Sequence, residues 1–202
     1  MNKEKKLWIA FGLVMSFSFA VLLYYGYEIY QQAPPIPEKV VTTGGEFLFS
    51  GQDIKDGQNV WQSMGGQEVG TIWGHGAYVA PDWTADWLHR EAVFILNKFA
   101  QADFNQDYDA VSEEQQAALK IRLQKDLRTN TYNSTTGEIT ISPNRAEAVA
   151  YLSNYYKGLF TDDPAFDKLR SDYAIPKNAI KGDARMDQMS AFFFWATWAT
   201  VT

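Results

Sequence analysis

The sequence predicts a mainly α-helical protein: an N-terminal transmembrane helix, a helical outer domain with a small β-hairpin, and the start of a second transmembrane helix. Three features predict it. Leu7 to Tyr25 carries no charge and is long enough to cross a hydrocarbon core about 30 Å thick. Beyond it, apolar residues recur at helical spacing behind residues that cap helices. At the carboxyl end, Met189 to Thr202 (MSAFFFWATWATVT) is again without charge.

In chain order, residues 1–30 form the anchor. Lys3, Lys5 and Lys6 precede the apolar run, and Tyr24, Tyr25, Tyr27 and Tyr30 follow it. Positive residues stay inside, so the amino terminus is cytoplasmic, the chain sits in the inner or plasma membrane, and residues 31–187 are periplasmic or extracellular. The rival reading is a cleaved signal peptide; the run is long and no small-x-small site follows before Gln31. Residues 31–45 (QQAPPIPEKVVTTGG) form a linker kept extended by Pro34, Pro35 and Pro37.

The outer domain spans residues 46–187. Glu46 to Phe49 reads as a short strand or turn, and Ser50 caps a helix bearing Ile54, Val60, Trp61 and Met64, closed by Gly65-Gly66. Gln67 to Asp82 is a glycine-rich loop. Between Gly57 and Gly76 fall six of the chain's 14 glycines, and four of its seven tryptophans lie between Gly51 and Trp87. Thr84 caps a helix to about Ala102 with Leu88, Ala92, Ile95, Leu96 and Phe99 inward. A polar connection leads to the capping box Ser112-x-x-Gln115 and a helix burying Leu119, Leu123 and Leu127. Thr131 to Ile141 reads as a peripheral hairpin. Ser142 and Pro143 start a helix with Val149, Leu152, Tyr156 and Leu159 inward; Asp162-Asp163-Pro164 breaks it, and 165–187 is mostly irregular. Residues 188–202 read as the start of a second span cut off by the fragment's boundary; the alternative is a buried core helix.

Composition excludes several chemistries. The 202 residues include no cysteine, so disulfides, thiolate metal sites and CxxCH haem attachment are ruled out. The net charge is -6 with scattered basic residues, which argues against nucleic acid. Asp103, Asn105, Asp107 and Glu114 stand at the oxygen-ligand spacing of a calcium loop, yet Tyr108 replaces the glycine such a loop needs; a solvated acidic loop explains the same residues. His75 and His89 are the only histidines; His89, beside Arg90 and Glu91 on a helix, reads as a surface residue, and Glu68 is a single loop carboxylate. Lone groups of this kind are more often structural than catalytic.

The stretch GQNVWQSMGGQEVGTIWGHGAYVAPDWTADWLHREA, with the anchor, the linker and the terminal MDQMSAFFFWATW, resembles the amino-terminal region of quinol-dependent nitric oxide reductases of the haem-copper oxidase superfamily. In that family a membrane-anchored cytochrome-c-like domain precedes a large catalytic membrane domain; cytochrome-c-fed relatives carry it as a separate subunit. There, a CxxCH motif precedes Gly-x-Gly-Ala-Tyr-Tyr-Ala-Pro. Here Gly74 to Pro81 (GHGAYVAP) matches the second part, while Gly66, Val69 and Gly70 stand where CxxCH would be. The resemblance therefore implies a haem-less cytochrome-c-like fold, with Trp61, Trp73, Trp83 and Trp87 filling the haem's space. It implies Gly76 (carbonyl) and Tyr78 (hydroxyl) as ligands to a calcium shared with the catalytic domain; the alternative for Tyr78 is an interface residue. It implies partners in membrane lipid, that catalytic domain, quinol and nitric oxide. Haem b, haem b3, non-haem iron and calcium belong to the full-length protein; the fragment alone binds no cofactor, carries no catalytic residue and is inactive. The alternative class is a stand-alone anchored sensor or an oxidase interaction subunit.

Overall fold

A computed structural model describes residues 2–202, which form two compact units divided after Pro35. The first is essentially one helix, α1 (Lys3–Gln31), none of whose residues is buried. Its 29 residues extend about 43 Å at 1.5 Å per residue. Among the described residues it is the one helix long and apolar enough to cross a membrane.

The second unit opens with β1 (Lys39–Thr42) and β2 (Phe47–Ser50). It continues with α2 (Gly51–Ser63), α3 (Trp83–Phe104) and α4 (Glu113–Arg128), then β3 (Tyr132–Asn133) and β4 (Glu138–Ile141). It closes with α5 (Pro143–Phe160), α6 (Asp167–Asp172) and α7 (Asp183–Val201). The strands form one sheet in the order β2-β1-β4-β3. β1 runs antiparallel to β2 and parallel to β4, with Lys39 opposite Glu138 and Thr42 opposite Ile141.

Most caps follow the local chemistry. Ser50 and Asp53 form a capping box on α2, Ser112 and Gln115 another on α4, and Ser142 with Pro143 opens α5. Each box satisfies orphan N–H groups of a first turn. The α3 cap differs from expectation. Asp82, not Thr84, accepts the Ala85 N–H at 2.9 Å, and Thr84 lies inside the helix. Residues 165–187, expected to be mostly irregular, contain α6 and the first turn of α7.

The sheet changes two further expectations. Lys39–Thr42, assigned to the linker, is an internal strand, with Val40 fully buried. The hairpin is not peripheral, because β4 pairs with β1 as well as β3 and buries Ile139 and Ile141. A hairpin alone signals only its local pairing; the parallel partner lies about a hundred residues upstream and leaves no mark on local periodicity.

α7 lies in the middle of the core. Its residues 189–198, from Met189 to Trp198, are buried against α2, α3 and α5. The absence of charge that suggested the opening of a second membrane span is thus accounted for by burial inside this domain. A helix apolar on every side is what a core surrounded by other helices requires. The α2–α7 crossing is close: Gly57 faces the Gln188 carbonyl and the Phe192 Cβ. A second, smaller core lies between α3 and α4, where Ile95 and Phe99 meet Leu119, Leu123 and Leu127.

Candidate functional site

The loop between α2 and α3 carries the residues singled out from the sequence. Gly65 and Gly66 take positive φ (122° and 56°), which stops α2 and reverses the chain. Gly66–Val69 is a single 3-10 turn. From Thr71 to Asp82 the loop is folded around one carboxylate. Asp82 Oδ2 accepts from the Thr71 hydroxyl at 2.6 Å and from the Gly74 N–H at 2.7 Å, while Oδ1 caps α3. The Thr71 oxygen accepts in turn from the Gly76 N–H at 2.9 Å. Charge-assisted bonds of this kind are about twice as strong as neutral ones, so the loop is braced although it has no regular structure.

Trp73 ties this loop to the core. It sits at φ 55°, its N–H donates to Thr84 Oγ1, and its indole Nε1 donates to the Ala196 carbonyl of α7 at 2.8 Å. Its ring rests against Trp195. Beyond it the tip turns outward. Gly76 has φ 88°, Tyr78 is fully exposed and Val79 is half exposed. The braced loop thus presents an exposed tyrosine and a half-exposed Trp73 to solvent.

The other candidate groups do not converge. Glu68, His75 and His89 are not buried, and no cluster of three metal-ligating side chains occurs among the described residues. Asp103 pairs with Arg122 at 3.2 Å, Asp107 accepts from Gln101, Glu114 accepts from Ser112, and Asn105 ends α3 in the left-handed conformation. Each of these serves its own helix end or a neighbouring side chain.

The interior is filled by aromatic rings. Trp83 and Trp87 are completely buried and Trp61 nearly so. Trp83 lies parallel to Phe193 at 5.9 Å and edge-on to Phe160 at 5.4 Å, and Trp87 stacks on Tyr156 at 5.5 Å. The indole N–H groups of Trp61 and Trp83 donate to the carbonyls of Gly70 and Val69, both at 3.1 Å. Trp73 departs from the expected filling, since it lies at the surface end of the loop.

Two ionic features leave no mark at the level of motifs. Glu91 and Arg145 form a buried pair at 2.7 Å, between α3 and α5, with the guanidinium 5.1 Å from the Phe194 ring centre. Burial pushes the Glu91 carboxyl up from its ordinary pKa, and Arg145 opposes this. Glu91 follows His89 and Arg90, and three polar residues in a row suggest a solvated surface. The signal that reveals it is spacing: positions 87, 91 and 95 fall one turn apart on the stripe of Trp87 and Ile95. Nearby, Asp86 accepts from Tyr156 at 2.7 Å and from Arg90 at 2.8 Å. Burial drives the Tyr156 phenol well above its ordinary pKa and pushes Tyr155 up to about 12.

A covalently held haem c does not fit these residues. No thiol is available to form the thioether links. At position 70, where the resemblance would put the haem-ligating histidine, a Cβ would lie 2.1 Å from Trp83 Nε1. The space such a side chain needs is thus taken by the Trp83 indole. With this geometry in view, residues 37–202 match the family described as the cytochrome c-like domain of the nitric oxide reductase NorB. No curated protein matches the chain. The match spans most of the 202 residues, and the chain belongs to the NorB family of nitric oxide reductases through this cytochrome c-like domain.

Proposed function

We propose that this chain is the N-terminal part of a quinol-fed membrane nitric oxide reductase, in which the outer domain is a docking cap and not an electron entry point. The observation that carries the reading is a cytochrome c-like domain without cysteine, whose Trp83 fills the side-chain space at Gly70. Such a domain offers no covalent haem c through which a soluble donor could deliver electrons. Electrons then come from the membrane, where quinol is the donor.

The reaction takes two nitric oxide molecules, two electrons and two protons to nitrous oxide and water. Haem b, haem b3 and a non-haem iron in the catalytic membrane domain would supply its redox chemistry. This chain's residues anchor and position. α1 holds the chain in the membrane with its amino terminus cytoplasmic, and the outer domain lies on the periplasmic or extracellular side. The braced tip from Gly74 to Ala80 docks on the catalytic domain. There the Gly76 carbonyl and the Tyr78 hydroxyl would supply two of the six to eight oxygens a calcium ion takes, the rest coming from the catalytic domain. The full exposure of Tyr78 supports such a role, because its hydroxyl is free to meet a partner surface.

The test is nitric oxide consumption by the purified full-length protein with two electron donors. Turnover with a reduced quinol analogue, none with reduced cytochrome c, and no c-type haem in the pigment spectrum are expected. Turnover with reduced cytochrome c alone would overturn the reading.

A further inference from the structure

Tyr156 of α5 joins an oxidisable ring to a proton acceptor inside the core. Its side chain is completely buried, and its phenol donates to Asp86 Oδ2 of α3 at 2.7 Å. The same carboxylate oxygen accepts from Arg90 Nε at 2.8 Å. Burial first, and then Asp86, keep the phenol protonated well above its ordinary range. The Asp86 side chain is 13% exposed, so a proton it receives has a way out to solvent. Other oxidisable rings touch Tyr156 on several sides. Trp87 lies parallel to it at 5.5 Å, Trp83 stands edge-on at 6.1 Å, and Tyr155 is edge-on at 5.2 Å. Rings this close are in contact, and an electron passes between them readily. Tyr155 is half-buried, so it links this cluster to the surface, and the Arg90 guanidinium lies over its ring at 4.0 Å. A cation over the ring disfavours positive charge on Tyr155, whereas the carboxylate at its hydroxyl favours it on Tyr156.

We propose that Tyr156 is a one-electron redox site, oxidised to a neutral tyrosyl radical as its phenolic proton moves to Asp86. The oxidant is a small radical of the nitrogen dioxide class, which nitric oxide, the substrate of this family, forms with dioxygen. Nitrogen dioxide takes one electron and becomes nitrite. The electron leaves the Tyr156 ring by way of Tyr155, the phenolic O–H bond breaks, and the proton ends on Asp86 Oδ2. A phenol that has lost an electron is a strong acid, so a carboxylate already hydrogen-bonded to it takes the proton. Burial then keeps the radical from coupling with another tyrosine or with a second nitrogen dioxide. The aromatic core of the outer domain thus acts as a radical sink.

The test exposes the full chain in detergent to nitrogen dioxide, made by pulse radiolysis of a nitrite solution, and reads the rapidly frozen sample by electron paramagnetic resonance. A tyrosyl signal that outlives those of the exposed tyrosines is expected. Tyr156→Phe keeps the ring and removes the hydroxyl, and should lower that signal at least fivefold. Asp86→Asn keeps an acceptor that does not take the proton, and should lower it as much. Tyr132→Phe, at the separate contact with Trp198, should leave it unchanged. No persistent tyrosyl signal in the parent chain, or one indifferent to Tyr156→Phe and Asp86→Asn, would overturn the proposal and leave the Tyr156–Asp86 bond a structural one.

Discussion

Replacing Gly57 with alanine sets two effects of opposite sign against each other. In a helix interior the change alone is favourable by about 1 kcal/mol, because alanine loses less backbone freedom on folding. In this domain a Cβ at position 57 would stand 1.9 Å from the Gln188 carbonyl oxygen and 2.8 Å from the Phe192 Cβ. Comfortable contact is about 3.5 Å, so α2 and α7 would have to part locally by about 1.5 Å. The nearest obstacle is backbone and cannot rotate away. Overpacking that side chains can absorb costs about 1–3 kcal/mol, and a forced backbone shift lies at the upper end of that range. Subtracting the helix gain leaves a net loss of about 2 kcal/mol. For a domain of this size that lowers the unfolding midpoint by about 4–8 °C. Thermal unfolding followed by near-ultraviolet circular dichroism reads it, since Trp61 and Phe192 lie in contact at this crossing. A Gly57→Ala protein that melts at or above the parent's temperature would refute the close α2–α7 crossing.

Removing Arg145 leaves Glu91 buried and unpaired, so Arg145→Met should cost about 3–5 kcal/mol at neutral pH. The loss should shrink on acidification. The folded Glu91 binds its proton more tightly than the unfolded chain does, so its contribution is fully present below the ordinary glutamate value of 4.5 and is lost as pH rises through the raised folded value. Denaturant titrations of Arg145→Met at pH 5 and pH 8 should differ, with the larger loss at pH 8; equal losses would contradict the buried pair. In the loop, Asp82→Ala removes the acceptor for Thr71, Gly74 and Ala85, and should destabilise by about 2 kcal/mol, cap included. Amide exchange at Gly74 and Gly76 should quicken in that variant, and unchanged exchange would show that the loop is held by other contacts.

Much of the chain follows from local chemistry. The anchor, the capping boxes at Ser50 and Ser112, the Ser142-Pro143 start of α5 and the inward faces of α4 and α5 are written in residue spacing, because caps and amphipathic stripes are satisfied within a few residues. The glycine-rich loop is legible as well, since its glycines and tryptophans cluster in one stretch. What holds that loop is not legible. Asp82 reaches Thr71 eleven residues back, and Trp73 reaches Ala196 across 123 positions.

The sequence by itself determined the membrane-competent helix, the mainly helical class and the impossibility of a cysteine-linked haem, because length, period and residue type are sufficient for each. Only the tertiary structure decided the rest. It turned Lys39–Thr42 from linker into the strand that joins the hairpin to β2, and placed Met189 to Trp198 inside the domain's core. It also buried Glu91 against Arg145 and laid Trp83 over Gly70. In each case the deciding partner is remote in the chain. An apolar or charged residue declares its own preference, but not which distant surface will satisfy it.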